Sequence, residues 1–148
     1  MKMWYLAHQL SNRQKVRKIE LRLENDYKIN LLNPFYDTGR QDVKDLDSGK
    51  IKSRYDFTLQ QCKDTVENDL QWIRNSDGML CILTGDGGAI GSFMEMFYAS
   101  IILEKPLYLV CPLVVIRKHL WIRALCFKIF RNIKELEAYF IVNDMVQK

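Results

Sequence analysis

Histidine is scarce in this chain and its cysteines lack any paired spacing, and each of these absences removes a chemistry. With only His8 and His119 present, neither an H-x-x-x-H pair nor another local cluster of metal ligands can be assembled, so no metal and no other cofactor is expected. Cys62, Cys81, Cys111 and Cys126 form no C-x-x-C pair and all stand in apolar stretches. This points to a reducing compartment and to thiols that behave as small core residues. No apolar run is long enough to span a bilayer, and that of MKMWYLAHQL is too short for a signal peptide. A cytoplasmic protein with no membrane partner is the expectation. Internal repeats, low-complexity segments and linkers are also missing, and 148 residues suffice for one ordinary core, so a single domain over 1–148 is expected.

Charge is present in quantity but nearly balanced, 22 basic against 18 acidic residues. The excess gathers late, in Arg117, Lys118, Arg123, Lys128, Arg131 and Lys134. These positions lack the tight clustering and interleaved aromatics of a nucleic-acid surface, so they read as a solvated face and no nucleic-acid polymer is expected as partner.

Along the chain, short continuous apolar runs alternate with helical periods. MWYLA reads as a buried strand, and Ser11 and Asn12 as caps of a helix running to about Asn25. KINLLNP is a second strand stopped by Pro34, and residues 34–56, polar and glycine-punctuated, read as a long loop of the kind that serves as a lid or binding segment. Leu59, Cys62, Val66, Leu70 and Ile73 mark one face of a helix from about Thr58 to Asn75. GMLCIL, PLYLVCP and, more weakly, CFKIF are strands; SFMEMFYASIILE and IKELEAYFIV are helices. Continuous apolar strands alternating with helices imply a parallel sheet covered on both faces. The expected fold is α/β, a three-layer sandwich around a central parallel sheet of about five strands, flavodoxin-like or Rossmann-like. Ligands in such sheets bind beyond the carboxyl ends of the strands. LAHQLSNR, TGDGGAIGS and CPLVVIRKH all emerge there.

Two acids are out of place. Glu95 is the sole charge on its helix until Glu104, among Met94, Met96 and Phe97. Burial would raise its pKa, whereas the amino end of a helix would lower it and keep it ionised; alternatively it simply caps its own helix. Asp69 falls at the edge of the apolar stripe on the 58–75 helix, leaning inward with a partner or outward into solvent. Two carboxylates delivered to one crevice suit chemistry at a sugar's anomeric carbon, or equally a metal site for phosphates that lacks a third acid. The glycine turn GDGGAIGS before Glu95 is neither G-x-G-x-x-G nor a P-loop, which disfavours dinucleotides and triphosphates. Its backbone N–H groups suit a phosphate or hydroxymethyl oxygen, if they bind a ligand at all.

YLA at Tyr5 to Ala7, ENDLQWIRNSDGMLCIL at Glu67 to Leu83, GSFMEMFYA at Gly91 to Ala99 with the following KPLYLV, and the stretch from His119 and Trp121 to IKELEAYF together resemble the nucleoside 2-deoxyribosyltransferase-like family, which includes nucleotide N-glycoside hydrolases. The resemblance spans nearly the whole chain. It implies that Glu95 is the nucleophile attacking C1′, that Asp69 assists protonation and positioning of the base, and that Tyr5 orients the nucleophile. It further implies that Gly91 and Ser92 meet the sugar's 5′ end, with Ala7, His8, Gly88 and Ala89 also along the substrate pocket. The substrate is expected to be a small-molecule nucleoside or nucleotide, and the protein a homo-oligomer, dimer or higher, with contacts from the aromatic-rich surface around Trp121, Phe127 and Phe130. Three departures stand out. LAHQLS replaces a glycine and proline, so that His8 contacts substrate or bonds locally. Ala89 stands where transferases carry a base-binding aspartate, for which Asp86 is near enough to substitute if the turn folds differently. Arg13 meets a 5′-phosphate or is an ordinary surface arginine. Rival readings are a phosphoribohydrolase with a G-G-x-G-T-x-x-E motif, to which GGAIGSFME is similar, and a non-catalytic nucleotide-binding module.

Overall fold

A computed structural model describes residues 2–85 and 88–147. Five parallel strands form one sheet in the order β2-β1-β3-β4-β5, with β1 at Met3–His8, β2 at Asn30–Leu32, β3 at Gly78–Ile82, β4 at Leu107–Val110 and β5 at Lys128–Phe130. This is the flavodoxin-like order, and the chain reverses its direction of winding between β1 and β3. Period-two alternation divides the core. Tyr5, Ala7, Met79, Cys81, Leu107 and Leu109 face one side; Leu6, Leu80, Ile82 and Val110 face the other.

Helices α1 (Arg13–Asp26) and α7 (Ile133–Val142) cover the second face with Val16, Leu23, Leu136 and Phe140. Helices α3 (Leu59–Asn75), α4 (Ile90–Phe97) and α6 (Leu120–Leu125) cover the first with Ile73, Met96, Ile122 and Leu125. A reciprocal capping box starts α3: Gln61 N donates to Thr58 Oγ1, and Thr58 N donates to Gln61 Oε1. At its other end Ser76 N donates to the Ile73 carbonyl, and Lys105 donates to the carbonyls of Ile73, Arg74 and Ser76, helping to satisfy the helix end. Asp77 ties the start of β3 to β1 by accepting from Met3 N at 2.9 Å. Gly78 admits no side chain, because a Cβ there would lie 2.8 Å from the Trp4 indole.

Several local expectations give way. The 34–56 loop contains α2 (Gln41–Ser48), whose one buried residue, Val43, is too little apolar signal to announce a helix; Gly49 ends it at φ 79°. The 92–104 helix is α4 followed by a π turn at Tyr98–Ile102. After β4 the chain adds α5 (Val114–Arg117) and then α6, where only a loop was expected. The stripe on α3 is core only towards its carboxyl end: Leu59 and Val66 are exposed, as is Cys62, which therefore is not a core thiol. No helix among the described residues is long and apolar enough to cross a membrane.

Candidate active site

Strand β1 points Tyr5 towards the helical layer of α3 and α4, and its side chain is fully buried there. Its hydroxyl donates a hydrogen bond to Glu95 Oε2. Glu95 is the sixth residue of α4, so it lies in the second turn, beyond the first turn where the helix end acts most strongly. The expected competition between burial and helix end is therefore settled by burial. Desolvation, reinforced by the negative charge of Asp69, pushes the Glu95 carboxyl up to about 8, against the Tyr5 bond and the positive charges of Arg40 and Arg54. Glu95 does not cap its helix; its described bond is to another element.

Asp69 leans inward from α3 and has a partner. Arg40, at the amino end of α2, donates from Nη1 to Asp69 Oδ1 at 3.1 Å. The same guanidinium grips Asp42 through two bonds of 3.0 and 2.7 Å and lies 5.3 Å from the Phe35 ring centre. Burial still raises Asp69 to about 6, offset by Arg40 and Arg54. Arg54 completes the group, 3.7 Å from Asp42. Tyr5, Glu95, Asp69, Arg40, Asp42 and Arg54 thus form one continuous polar cluster delivered by β1, α2, α3, α4 and the segment after α2. Arg40, Asp42 and Arg54 were not singled out by the sequence. The only signal for them was the polar 34–56 segment as a whole, since nothing local distinguishes one arginine in it from another.

The remaining residues expected at the site divide. Ala89 is the N-cap of α4, followed by Ile90, Gly91 and Ser92, so the helix presents its unpaired N–H groups at Gly91 and Ser92. Gly88 and Gly91 face open space, with no neighbouring atom within 4 Å of the site of a Cβ, whereas the Ser92 side chain is buried. Ala7 is 1% exposed and packs in the core opposite Cys81 in β3, which leaves its methyl group no open face. His8 is turned away into a second cluster: its Nε2 donates to Asn33 Oδ1 at 3.0 Å, and burial lowers its pKa. Of the two roles open to His8, the local bond is the one observed. Arg13 is paired with Asp47 of α2 at 2.7 Å, its side chain half-buried. Asp86 lies outside the described residues. Trp121 and Phe127 are exposed, but Phe130 is 6% exposed and belongs to the core, so the expected aromatic surface loses one member. Among the described residues, no group of three or more His, Cys, Asp or Glu is arranged to hold a metal ion.

What the arrangement can do follows from its environment. A carboxylate shielded from water and aimed by a phenol is a strong nucleophile once ionised. A second acid with a pKa near 6 can share a proton with a leaving group. The turn from β3 into α4, which ends at Gly91 and Ser92, lies past the carboxyl end of β3 next to the switch point between β1 and β3, where this sheet type takes its ligands.

No family model matches the sequence, and no curated protein matches it. Solved structures do. A 2-deoxyribosyltransferase from the psychrotolerant bacterium Bacillus psychrosaccharolyticus superposes with a TM-score of 0.67 over 98% of this chain and 97% of that one, at 19% sequence identity. At that identity the likeness establishes the fold and not the chemistry. Over nearly its whole length, then, this chain has the fold of a 2-deoxyribosyltransferase, in agreement with the family resemblance carried by its motifs.

Proposed function

We propose that the protein cleaves the N-glycosidic bond of a deoxyribonucleoside or its 5′-monophosphate. Glu95 attacks C1′ and forms a glycosyl ester while Asp69 aids departure of the base; the sugar then passes to a second base or to water. The observation that carries this reading is the hydrogen bond from Tyr5 to Glu95, because it holds a half-buried carboxylate in one orientation close enough to feel the charge of a second acid, Asp69. Two displacements at one carbon retain its configuration. The amino end of α4, with Gly91 and Ser92, suits the 5′ hydroxyl or phosphate. The reaction draws on side chains alone.

We also propose a homo-oligomer. A largely apolar hollow of about 430 Å³ between α4 and α6 is lined by Phe97, Val115, Trp121, Ile122 and Leu125 together with His119, and Val115 and Trp121 in it are exposed. A continuous apolar surface of this kind on a water-facing side is a natural self-contact. Sedimentation at micromolar concentration should give a multiple of 17.5 kDa.

The chemical proposal is tested by incubating the protein with a panel of deoxyribonucleosides, ribonucleosides and their monophosphates, with and without an acceptor base. Base release by the wild type that disappears in Glu95→Ala supports it. Failure to release base from any member would leave a binding module, and release from ribonucleoside monophosphates alone would point to the phosphoribohydrolase.

A further inference from the structure

Arg54 is the member of the cluster with unused capacity. Among the described residues, it approaches one carboxylate within 4 Å, that of Asp42 at 3.7 Å. Asp42 is already held by two shorter bonds from Arg40. The Arg54 side chain is about one-third exposed, so its N–H donors are neither buried in a fork nor freely hydrated. Burial, and then repulsion from Arg40, both work against its charge, while Asp42, Asp69 and Glu95 support it. A cation held in this way gains most from an additional anionic or strongly accepting group placed against it.

Glycosidic cleavage supplies such a group. As a Glu95 oxygen bonds to C1′, the C1′–N bond breaks and its electron pair stays with the base. Asp69, kept partly ionised by its bond from Arg40, is an incomplete proton source at neutral pH. The negative charge on the base must then be stabilised otherwise until a proton arrives from Asp69 or water. In an oxo-substituted base that charge spreads to an exocyclic oxygen, an acceptor that a guanidinium can meet without giving up its own proton. Arg54 is linked to Asp69, the acid assigned to the base, through Asp42 and Arg40. The anion-favouring end of α4 is contributed by a different element, next to Glu95.

Building on the proposed glycosidic reaction, we infer that Arg54 donates hydrogen bonds to the oxo group of the departing base, and so makes nucleosides of 6-oxopurines and oxopyrimidines the preferred substrates. A preorganised donor aimed at a developing charge contributes about two to three powers of ten in rate, and a one-third-exposed side chain such as Arg54 should contribute less, about 10- to 100-fold.

Deoxyinosine and deoxyadenosine make the cleanest test, since they differ at the purine 6-position by an oxo against an amino group. Base release is followed for wild type, Arg54→Ala and Arg54→Lys, with near-ultraviolet circular dichroism confirming that each is folded. Arg54→Ala should lower kcat on deoxyinosine and thymidine by about 10- to 100-fold and on deoxyadenosine by less than about threefold. Arg54→Lys should recover part of the loss. The penalty should also be smaller on 5-fluoro-2′-deoxyuridine, whose base is the more stable anion. Equal losses on all substrates, no loss, a loss confined to 5′-monophosphates, or a wild-type preference for deoxyadenosine would each overturn the inference while leaving the glycosidic reaction standing. Absence of base release by the wild type from every substrate would overturn both.

Discussion

Two polar clusters each take a side chain from β1, His8 in one and Tyr5 in the other, and each contains an acid whose pKa burial has raised. In one, Glu20 is fully buried and pushed up to about 7, yet each of its oxygens has a donor, and the one like charge near it, Asp37, is paired with Arg17. Asn33 Nδ2 donates to one carboxylate oxygen at 2.9 Å and Arg17 to the other at 2.9 Å. The Asn33 oxygen in turn accepts from His8 and from Phe35 N. In the other, Glu95 is pushed up to about 8 with a second acid beside it and a partly unmatched Arg54 nearby. Phe35 touches both, edge-on to His8 at 4.7 Å and beneath Arg40 at 5.3 Å. A raised carboxyl is therefore no mark of a site by itself. The closed network spends its hydrogen bonds on holding β1, β2 and α1 together, whereas the open one leaves like charges close and Arg54 partly unmatched, a cost in stability that the proposed ligand would relieve.

The comparison breaks most sharply at Glu95. Glu95→Gln keeps the shape but not the nucleophile, and should lower base release at least about 10,000-fold, with thermal unfolding changed little. A melting temperature that falls in step with activity would make Glu95 as structural as Glu20.

Glu20→Ala should do the reverse. It leaves the Asn33 amide and the Arg17 cation without their buried partner, so unfolding in urea should show a loss of about 3 kcal/mol, with kcat per folded molecule within about threefold of wild type. A large loss of kcat in protein that is still folded would join the two clusters into one functional unit.

Tyr5→Phe tests the coupling at the site itself. Glu95 acts ionised, so kcat/KM should rise with pH through about 8 in the wild type. The Tyr5 bond lowers that pKa, so its removal should move the acid limb to higher pH and lower the rate near neutrality by about tenfold. A pH–rate profile that stays in place would separate Tyr5 from the nucleophile.

The smallest effect is expected at Arg13, which belongs to neither cluster. Arg13→Ala removes a half-buried pair with Asp47 and a bond to the Leu10 carbonyl, and should cost about 1 to 2 kcal/mol in urea unfolding, with KM for a monophosphate unchanged. A tenfold rise in that KM would place a phosphate on α1.

Legibility in the sequence followed the range of the forces involved. β1, β3 and β4 were readable because a buried parallel strand must be apolar along its whole length, as GMLCIL is. α2 was not, since one buried valine carries no period. The stripe on α3 misled for a related reason: Leu59, Cys62 and Val66 are correctly spaced, but nothing packs over the first half of that helix. At the site, Glu95 and Asp69 could be found as charges where apolar residues belong. Arg40 and Arg54 could not, being two of many charges in a polar stretch and 29 and 15 residues away from Asp69 along the chain.

The sequence by itself determined the five strands, the helices α1, α3, α4 and α7 between and after them, and that one acid lies on an apolar helix, because hydrophobic periodicity and residue type are local properties. Tertiary structure alone decided which acids come close enough to feel each other's charge, which arginines offset them, and that burial outweighs the helix end in setting Glu95 near 8. The energy of a charge depends on how much water is removed from it and on which distant residues the fold brings within a few ångströms, and neither is written in its immediate neighbours.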